Sequence, residues 1–152
     1  MATKVDRRGA ERELSALAAQ LRLVITRTAR RLRQQAGTEL GPSQLSALSS
    51  VERHGPLTPS ELARIERIQR PSATRIVSRL EDAGLVERVA DPSDGRSFTV
   101  GLNADGRTLL TKLRTRKNAY LARRLRGLDD ADLATLDRAA EILEDLLEGD
   151  RA

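Results

Sequence analysis

The stretch from Thr58 to Asn103 constrains this chain more than any other part of it. It opens Thr58-Pro59-Ser60-Glu61. That is a capping box: Thr58 and Glu61 satisfy each other's unpaired backbone N–H groups, and Pro59 is already set for the first helical position. The spacing predicts a short helix to about Arg67. Gln69-Arg70-Pro71 starts a second helix, with Pro71 at the first helical position and Arg70 pushed out of helical geometry by the ring that follows it. Gly84 ends that helix as a left-handed cap, and Leu85 is the hydrophobic residue after it. Two short strands follow, Leu85 to Ala90 and Ser97 to Leu102, joined by the turn Asp91-Pro92-Ser93-Asp94-Gly95-Arg96. Asn103 caps the next helix. Helix, turn, helix and hairpin in this order make a winged helix-turn-helix pattern.

The rest of the chain reads as helices. Residues 1–9 are polar and charged, a loose tail. From about Ala10 to Gln35 apolar residues recur at Leu14, Leu17, Leu21, Val24, Ile25 and Leu32, and Gly37 stops the helix. Gly41-Pro42-Ser43-Gln44 starts another, which runs to about His54 with Leu45, Leu48 and Val51 on one face; Gly55 stops it. Beyond the hairpin a long helix spans about Ala104 to Arg126, with Leu109, Leu110, Leu113, Tyr120, Leu121 and Leu125, and Gly127 breaks it. Asp129 caps a last helix whose Leu133, Leu136, Ala140, Leu143 and Leu147 fall at steps of 3 and 4, a coiled-coil-like seam.

The predicted fold is therefore mainly α with a small β-hairpin wing. A tail and first dimerisation helix occupy residues 1–36. A winged helix-turn-helix DNA-binding domain occupies 37–103, and C-terminal dimerisation helices occupy 104–152. Helices with narrow apolar stripes need packing partners, because isolated helices are marginal in water. The outer helices could cover their own winged unit, but the heptad-like stripes favour pairing across a two-fold axis. Leu14, Leu17 and Leu21 of the first helix, with Leu133, Leu136, Leu143 and Leu147 of the last, are the expected dimer contacts.

Composition narrows function more than fold. The chain has 152 residues and a net charge of +5, with no Cys and one His. The absence of Cys removes disulfides, thiolate nucleophiles and thiol redox switches. No apolar run reaches the ~18 residues of a membrane span, and no signal peptide is evident, so a soluble cytoplasmic protein is expected. Charge distribution says more than the total. Between Leu62 and Arg79 stand five Arg against one Glu; from Asn103 to Arg126, eight basic residues against one Asp; from Asp129 onward, nine acidic residues against two Arg.

In the second helix of the motif, Ala73, Ile76, Val77 and Leu80 recur with helical spacing and face inward. Ser72, Thr74, Arg75, Ser78 and Arg79 lie around the other side. Small polar residues and Arg on the N-terminal half of a helix suit the major groove. Arg75 is expected to read a base, because its planar fork matches guanine O6 and N7. Ser72 and Thr74 are small enough to approach a phosphate or a thymine methyl. Arg70 and Arg79 are expected on phosphates. At the wing tip Arg96 is suited to the negative potential of a narrow minor groove. Asp94 is placed to hold Arg96 or Arg88 by a charged hydrogen bond.

These residues resemble the MarR regulators (multiple antibiotic resistance regulators). Leu62-Ala63 with Pro71-Ser72 and Thr74-Arg75 resembles the family's helix-turn-helix. Leu80-Glu81 with Gly84-Leu85-Val86-Glu87-Arg88 resembles its helix end and first wing strand. Asp91-Pro92 with Asp94 and Arg96, then Val100 with Leu102-Asn103, resembles its wing signature. The resemblance implies a two-fold dimer through the N- and C-terminal helices and a pseudopalindromic operator. It also implies repression of its own operon or of a neighbouring efflux or stress gene, and DNA contacts by Arg75 and Arg96. Gly95 stands where the family's wing carries a basic residue, and Asn103 where Thr is common. Without Cys there is no peroxide-sensing thiol, and one His is too few for a zinc-sensing site; His54 reads as a helix-end residue favoured by the dipole. Many relatives bind small aromatic acids. Here a small-molecule effector is left open, in a pocket of aliphatics and arginines such as Arg27. Phe98 reads as wing core.

Other classes fit less well. There is no nucleophile–base pair, metal cluster or phosphate-cradling glycine loop for an enzyme, and no cofactor is expected. A helical interaction module would explain the seams but not the arginines. The expectation is a homodimeric, sequence-specific repressor binding double-stranded DNA. The alternative is an architectural DNA-binding protein of low specificity, since much DNA affinity is electrostatic whatever the sequence.

Overall fold

The computed structural model of the chain describes residues 3–91 and 93–149. Its elements are α1 (Thr3–Ala36), α2 (Pro42–His54), α3 (Pro59–Glu66), α4 (Arg70–Asp82), β1 (Val86–Asp91), β2 (Asp94–Leu102), α5 (Ala104–Leu125) and α6 (Asp130–Gly149). They divide between two compact units. One holds residues 36–115, and the other holds the remaining described residues, in α1, the end of α5 and α6.

In the first unit the local signals act as the sequence suggests. The Thr58 hydroxyl accepts the Glu61 N–H at 3.2 Å, and the Glu61 carboxylate accepts the Thr58 N–H at 2.8 Å. The Thr58 N–H and the Thr58 hydroxyl, the latter at 3.0 Å, both donate to the Glu61 carboxylate and hold it below the usual carboxylate range. Gly84, at φ +70, lets the Leu85 N–H turn back to the Leu80 carbonyl at 3.0 Å while its own N–H reaches Glu81 at 2.8 Å. This is a Schellman end, and it turns Leu85 into the core. Leu48, Val51, Leu62, Val77, Leu80 and Val100 are almost wholly buried together. Burial of each such side chain stabilises by about 1.5–3 kcal/mol.

β1 and β2 pair antiparallel with Val86 opposite Leu102 and Arg88 opposite Val100. Leu57 adds a bridge the sequence did not announce: its N–H donates to Val100 at 3.0 Å and its carbonyl accepts from Val100 at 2.7 Å. Asn103 then ties the ends together. Its Nδ2 donates to the Gly84 carbonyl at 2.8 Å, its N–H to Leu85 at 3.3 Å, and its Oδ1 accepts the Gly106 N–H at 2.8 Å. Arg114 of α5 clasps Glu52 of α2 through two bonds of 2.6 and 2.9 Å, which hold the Glu52 carboxyl below its ordinary range against the opposing effect of burial.

Three expectations need correcting. The N-terminal stretch is helical from Thr3, not a loose tail to residue 9. It holds Lys4, Arg7 and Arg8, which favour helix, and no proline, so its single glycine does not stop the helix that runs on from Ala10. Arg70 is the first helical residue of α4 rather than excluded from it, and Pro71 takes the second position. The Gln69 carbonyl accepts from Ser72 at 2.9 Å and Ala73 at 3.1 Å, and these bonds outweigh the mild bias against helix before proline. The wing strands also extend further than expected. Asp91 pairs with Asp94 after a register shift at Ala90, so Asp94, Gly95 and Arg96 belong to a bulged β2 rather than to an open turn. Pro92 of the expected turn lies outside the described residues.

Gly106 provides the test of this packing. A Cβ there would lie 2.2 Å from the Leu85 carbonyl oxygen and 2.8 Å from Leu102 Cδ1, whereas at Gly95 it would meet nothing within 4 Å. Gly106→Ala should destabilise the fold by ~2 kcal/mol or more, because the nearest neighbour, the Leu85 carbonyl, is backbone and cannot yield cheaply. Gly95→Ala should leave stability within ~0.5 kcal/mol of wild type. Chemical denaturation of the two variants would check this; equal midpoints would contradict the packing described.

Candidate nucleic-acid interface

α4 presents two faces. Ala73, Val77 and Leu80 are buried, and Ile76 is half-buried beside them. On the other side Arg70, Thr74, Arg75 and Arg79 are exposed, with Ser72 and Ser78 half-buried between them. Among the described residues no acidic side chain pairs with Arg70, Arg75, Arg79 or Arg96. The first turn of α4 has no acidic residue either, so nothing offsets the partial positive charge at its N-terminus. A face with free guanidiniums and an uncompensated helix end attracts a polyanion.

The smaller side chains are locally restrained. Arg75 Nη2 reaches the Ser72 hydroxyl at 3.4 Å, a long contact that leaves most of its donors unused. Thr74 donates its hydroxyl to the Arg70 carbonyl at 3.1 Å. That bond fixes its rotamer and leaves the methyl group available to an apolar contact.

The wing stands beside this helix. Asp94, Gly95 and Arg96 are exposed at its tip. Asp94 Oδ1 accepts the backbone N–H of Arg96 at 3.0 Å, which shapes the turn. A cleft of about 360 Å³ is lined by Thr58, Ser60, Arg70, Asp94, Arg96 and Phe98. The start of α3, the start of α4 and the wing therefore open on one concavity, with an arginine from α4 and another from the wing on its walls.

Asp94 does not hold Arg88, as the sequence allowed. Arg88 is taken by Glu81 of α4: Nη2 to Oε2 is 2.8 Å, and Nε donates to Oε1. The Arg88 guanidinium also lies over the Phe98 ring, 4.1 Å from its centroid, a cation–π contact. The hydrogen bonds from Arg88 to Glu81 raise its pKa further, so it stays charged throughout. This clamp fastens the last turn of α4 to both wing strands. It brings together Phe98, expected in the wing core and found half-buried against it, with Arg88, expected on Asp94, and Glu81, given no role from sequence. The register that brings Arg88 near Phe98 could have hinted at the stacking. The Glu81 partner depends on the angle between helix and hairpin, which no local pattern encodes. Glu66 was also missed. Its carboxylate accepts the Ser46 hydroxyl at 2.6 Å and the Ser50 hydroxyl, and so fastens α3 to α2.

The residues expected at a dimer contact lie elsewhere. Leu14, Leu17 and Leu21 on α1 are 69%, 51% and 38% exposed; Leu133, Leu136 and Leu147 on α6 are 37%, 47% and 66% exposed, and Leu143 is half-buried. Leu23, Ile142 and Leu146 are exposed as well, so the apolar surface is broader than the seam. Among the described residues there is no cluster of His, Cys, Asp or Glu fit for a metal and no helix long and apolar enough to cross a membrane.

Known proteins agree with this geometry. The sequence profile of the MarR family matches residues 40–98, from the end of the loop before α2 through most of the wing. The HTH-type transcriptional regulator Mb0904 of Mycobacterium bovis is 36% identical over 84% of this chain and 90% of its own. The HTH-type transcriptional repressor MdtR of Bacillus subtilis is 29% identical over 66% of this chain and 69% of its own. A solved putative transcriptional regulator of Pseudomonas aeruginosa superposes with a TM-score of 0.78 at 36% identity, covering 88% of this chain and 95% of that one. An arginine-bearing helix, a clamped wing, and two relatives 36% identical over 90% or more of their own length lead to one assignment: the chain belongs to the MarR family, as a DNA-binding transcriptional regulator and not an enzyme.

Proposed function

We propose that the chain acts as a homodimeric repressor that reads a pseudopalindromic operator. α4 enters the major groove of each half-site, and the wing lies at the adjacent minor groove. The observation that carries this reading is the single basic face formed by α4 and the wing, where Arg70, Arg75, Arg79 and Arg96 lack acidic partners among the described residues. Arg75 reads a base, Arg70 and Arg79 hold phosphates, Ser72, Thr74 and Ser78 fit the helix to the groove wall, and Asp94 shapes the wing that carries Arg96. Repression is supported by the likeness to MdtR, which bears the name of a repressor. No role is assigned to an effector.

Dimerisation is supported by packing. Among the described residues the close helix–helix packings lie among α2, α3 and α4, whereas α1 and α6, of 34 and 20 residues, keep a row of exposed leucines. Helices of that kind are held by tertiary contacts rather than by propensity. Their exposed leucines supply an apolar surface that a second copy can cover. Two-fold symmetry also suits DNA reading, because paired recognition helices meet half-sites about 10 base pairs apart, or a multiple of that.

Arg75→Ala should cost about 1–3 kcal/mol on a selected site and relax preference at one base position per half-site. Arg79→Ala should weaken binding to all duplexes alike and lower the salt slope by about one unit. Binding isotherms on selected and random duplexes separate the two; identical behaviour of both variants would overturn the division between base and phosphate.

For the wing, Arg96→Ala should lose affinity most on operators with A·T flanks, where the minor groove is narrow and its potential most negative. Gly95→Arg should tighten binding without changing base preference, since the position has open space around it and the added charge meets phosphate only. Equal losses for Arg96→Ala on A·T and G·C flanks would make Arg96 a plain phosphate contact.

For the dimer, Leu136→Glu with Leu143→Glu should dissociate or unfold the protein, as a buried unpaired charge costs several kcal/mol. Sedimentation reads this directly. A wild-type chain that is monomeric at micromolar concentration would refute the dimer.

A further inference from the structure

α3 and α4 end in the same way, but on different residues. At each end the chain turns through one left-handed residue, and the N–H that follows reaches back into the helix. Ile68 donates to the Ala63 carbonyl at 3.0 Å, as Leu85 does to the Leu80 carbonyl at 3.0 Å. At the end of α4 the left-handed residue is Gly84, at φ +70. At the end of α3 it is Arg67, at φ +53 and ψ +43. Among the described residues Arg67 is the only one other than glycine with a positive φ. In this conformation an L-residue brings its Cβ against the carbonyl oxygen that follows, a cost that glycine does not carry. The turn of a helix-turn-helix often holds glycine. Strain of this kind persists where something other than the local backbone requires the side chain.

The fold makes no visible use of that side chain. Arg67 is exposed, and among the described residues no carboxylate pairs with it. The bonds that close the turn come from its own N–H, to the Arg64 carbonyl at 3.3 Å, and from the N–H of Ile68. A glycine would make both. Its place on the surface is more telling. Ser60, Arg64 and Arg67 are all exposed and follow at steps of 4 and 3, so they run along one side of α3 and into the turn. Ser60 lines the cleft shared with Arg70 and Arg96. The stripe therefore begins at the basic concavity and finishes three residues before Arg70. In a helix-turn-helix on DNA the second helix lies in the major groove while the first crosses the backbone. An exposed guanidinium at the end of the first helix then meets phosphate.

We propose that Arg67 is a further DNA-binding residue, which holds a backbone phosphate from the turn between α3 and α4, and that arginine stands there at a cost in stability because of that contact. The inference rests on the reading in which α4 enters the major groove. It adds a contact outside α4 and the wing. Phosphate contacts carry no base information, so Arg67 supplies affinity and register and leaves base preference to α4.

The test compares full-length Arg67→Gly, Arg67→Gln and Arg67→Lys with wild type, beside Arg79→Ala. Gln and Lys both keep the left-handed strain and differ in charge; Gly removes strain and charge together. Arg67→Gly should raise the midpoint of chemical denaturation, because relief of the left-handed residue outweighs the freedom that glycine adds to the unfolded chain. The same variant should bind selected and random duplexes alike about 5-fold more weakly per protomer at about 0.15 M salt, which is the loss of one phosphate contact at a slope of about 0.9. Arg67→Gln should lose the same binding and salt slope with no gain in stability, whereas Arg67→Lys should keep the wild-type slope. A gain in stability joined to a loss of binding is what an arginine with a merely structural role would not give. An Arg67→Gly variant less stable than wild type would overturn the proposal, since the side chain would then be holding the turn. Wild-type affinity and slope in Arg67→Gln, with Arg79→Ala lowering the slope, would overturn it alone. If neither substitution changes the slope, the reading of α4 and the wing as the DNA-binding face fails with it.

Discussion

Asn103 joins the parts of the molecule that must not move relative to one another. Its side chain holds the Gly84 carbonyl at the end of α4 and the Gly106 N–H at the start of α5, while its backbone N–H holds Leu85. Three elements are thus fixed by one residue: α4, the hairpin and the helix that leaves it. An amide side chain can do this because it carries a donor and an acceptor in one plane. The threonine common at this place in the family can cap α5 but has no amide N–H. Gly106 completes the junction, since only a residue without Cβ lets α5 begin so close to the Leu85 carbonyl. The Glu81–Arg88–Phe98 clamp then sets the wing against α4 from the other side. The spacing between Arg75 and Arg96 follows from these two fixtures rather than from the hairpin itself.

What was legible in the sequence is what is local. The capping box at Thr58, the glycine end at Gly84, the Asn103 cap and the Asp129 cap all depend on residues within a few positions of each other, and each stands where its spacing put it. The inward face of α4 follows from periodicity alone. What was not legible depends on distance or on competition. Arg88 finds Glu81 seven residues away only once helix and hairpin are docked. Glu66 reaches Ser46 and Ser50 across the α2–α3 angle. The helical start at Thr3 was not legible because Thr3 to Gly9 carry no apolar stripe of their own; with no proline among them, the helix of α1 extends back through them. The tip of the wing was read from turn composition, whereas pairing carried both strands past it.

Function divides along the same line. A basic face with a clamped wing is a property of the unit formed by residues 36–115, and it can be described within that unit alone. The dimer proposed to read a two-fold operator rests instead on the long helices, whose leucines are exposed in a single chain. Phosphate contacts give affinity and register, but they carry no base information. A lone basic unit would therefore bind DNA of any sequence. Joining two such units at a fixed separation is what turns modest base contacts into recognition of one site, because both halves must fit at once.

The most direct measurement is selection of binding sites by the wild-type protein from a pool of random duplexes at fixed salt. The expected result is an inverted repeat whose half-site centres lie about 10 base pairs apart or a multiple of that. The expected repeat also has a guanine-containing position in each half that Arg75 can read. A pool that stays random, or one that enriches a single unrepeated element, would contradict a two-fold, sequence-specific regulator.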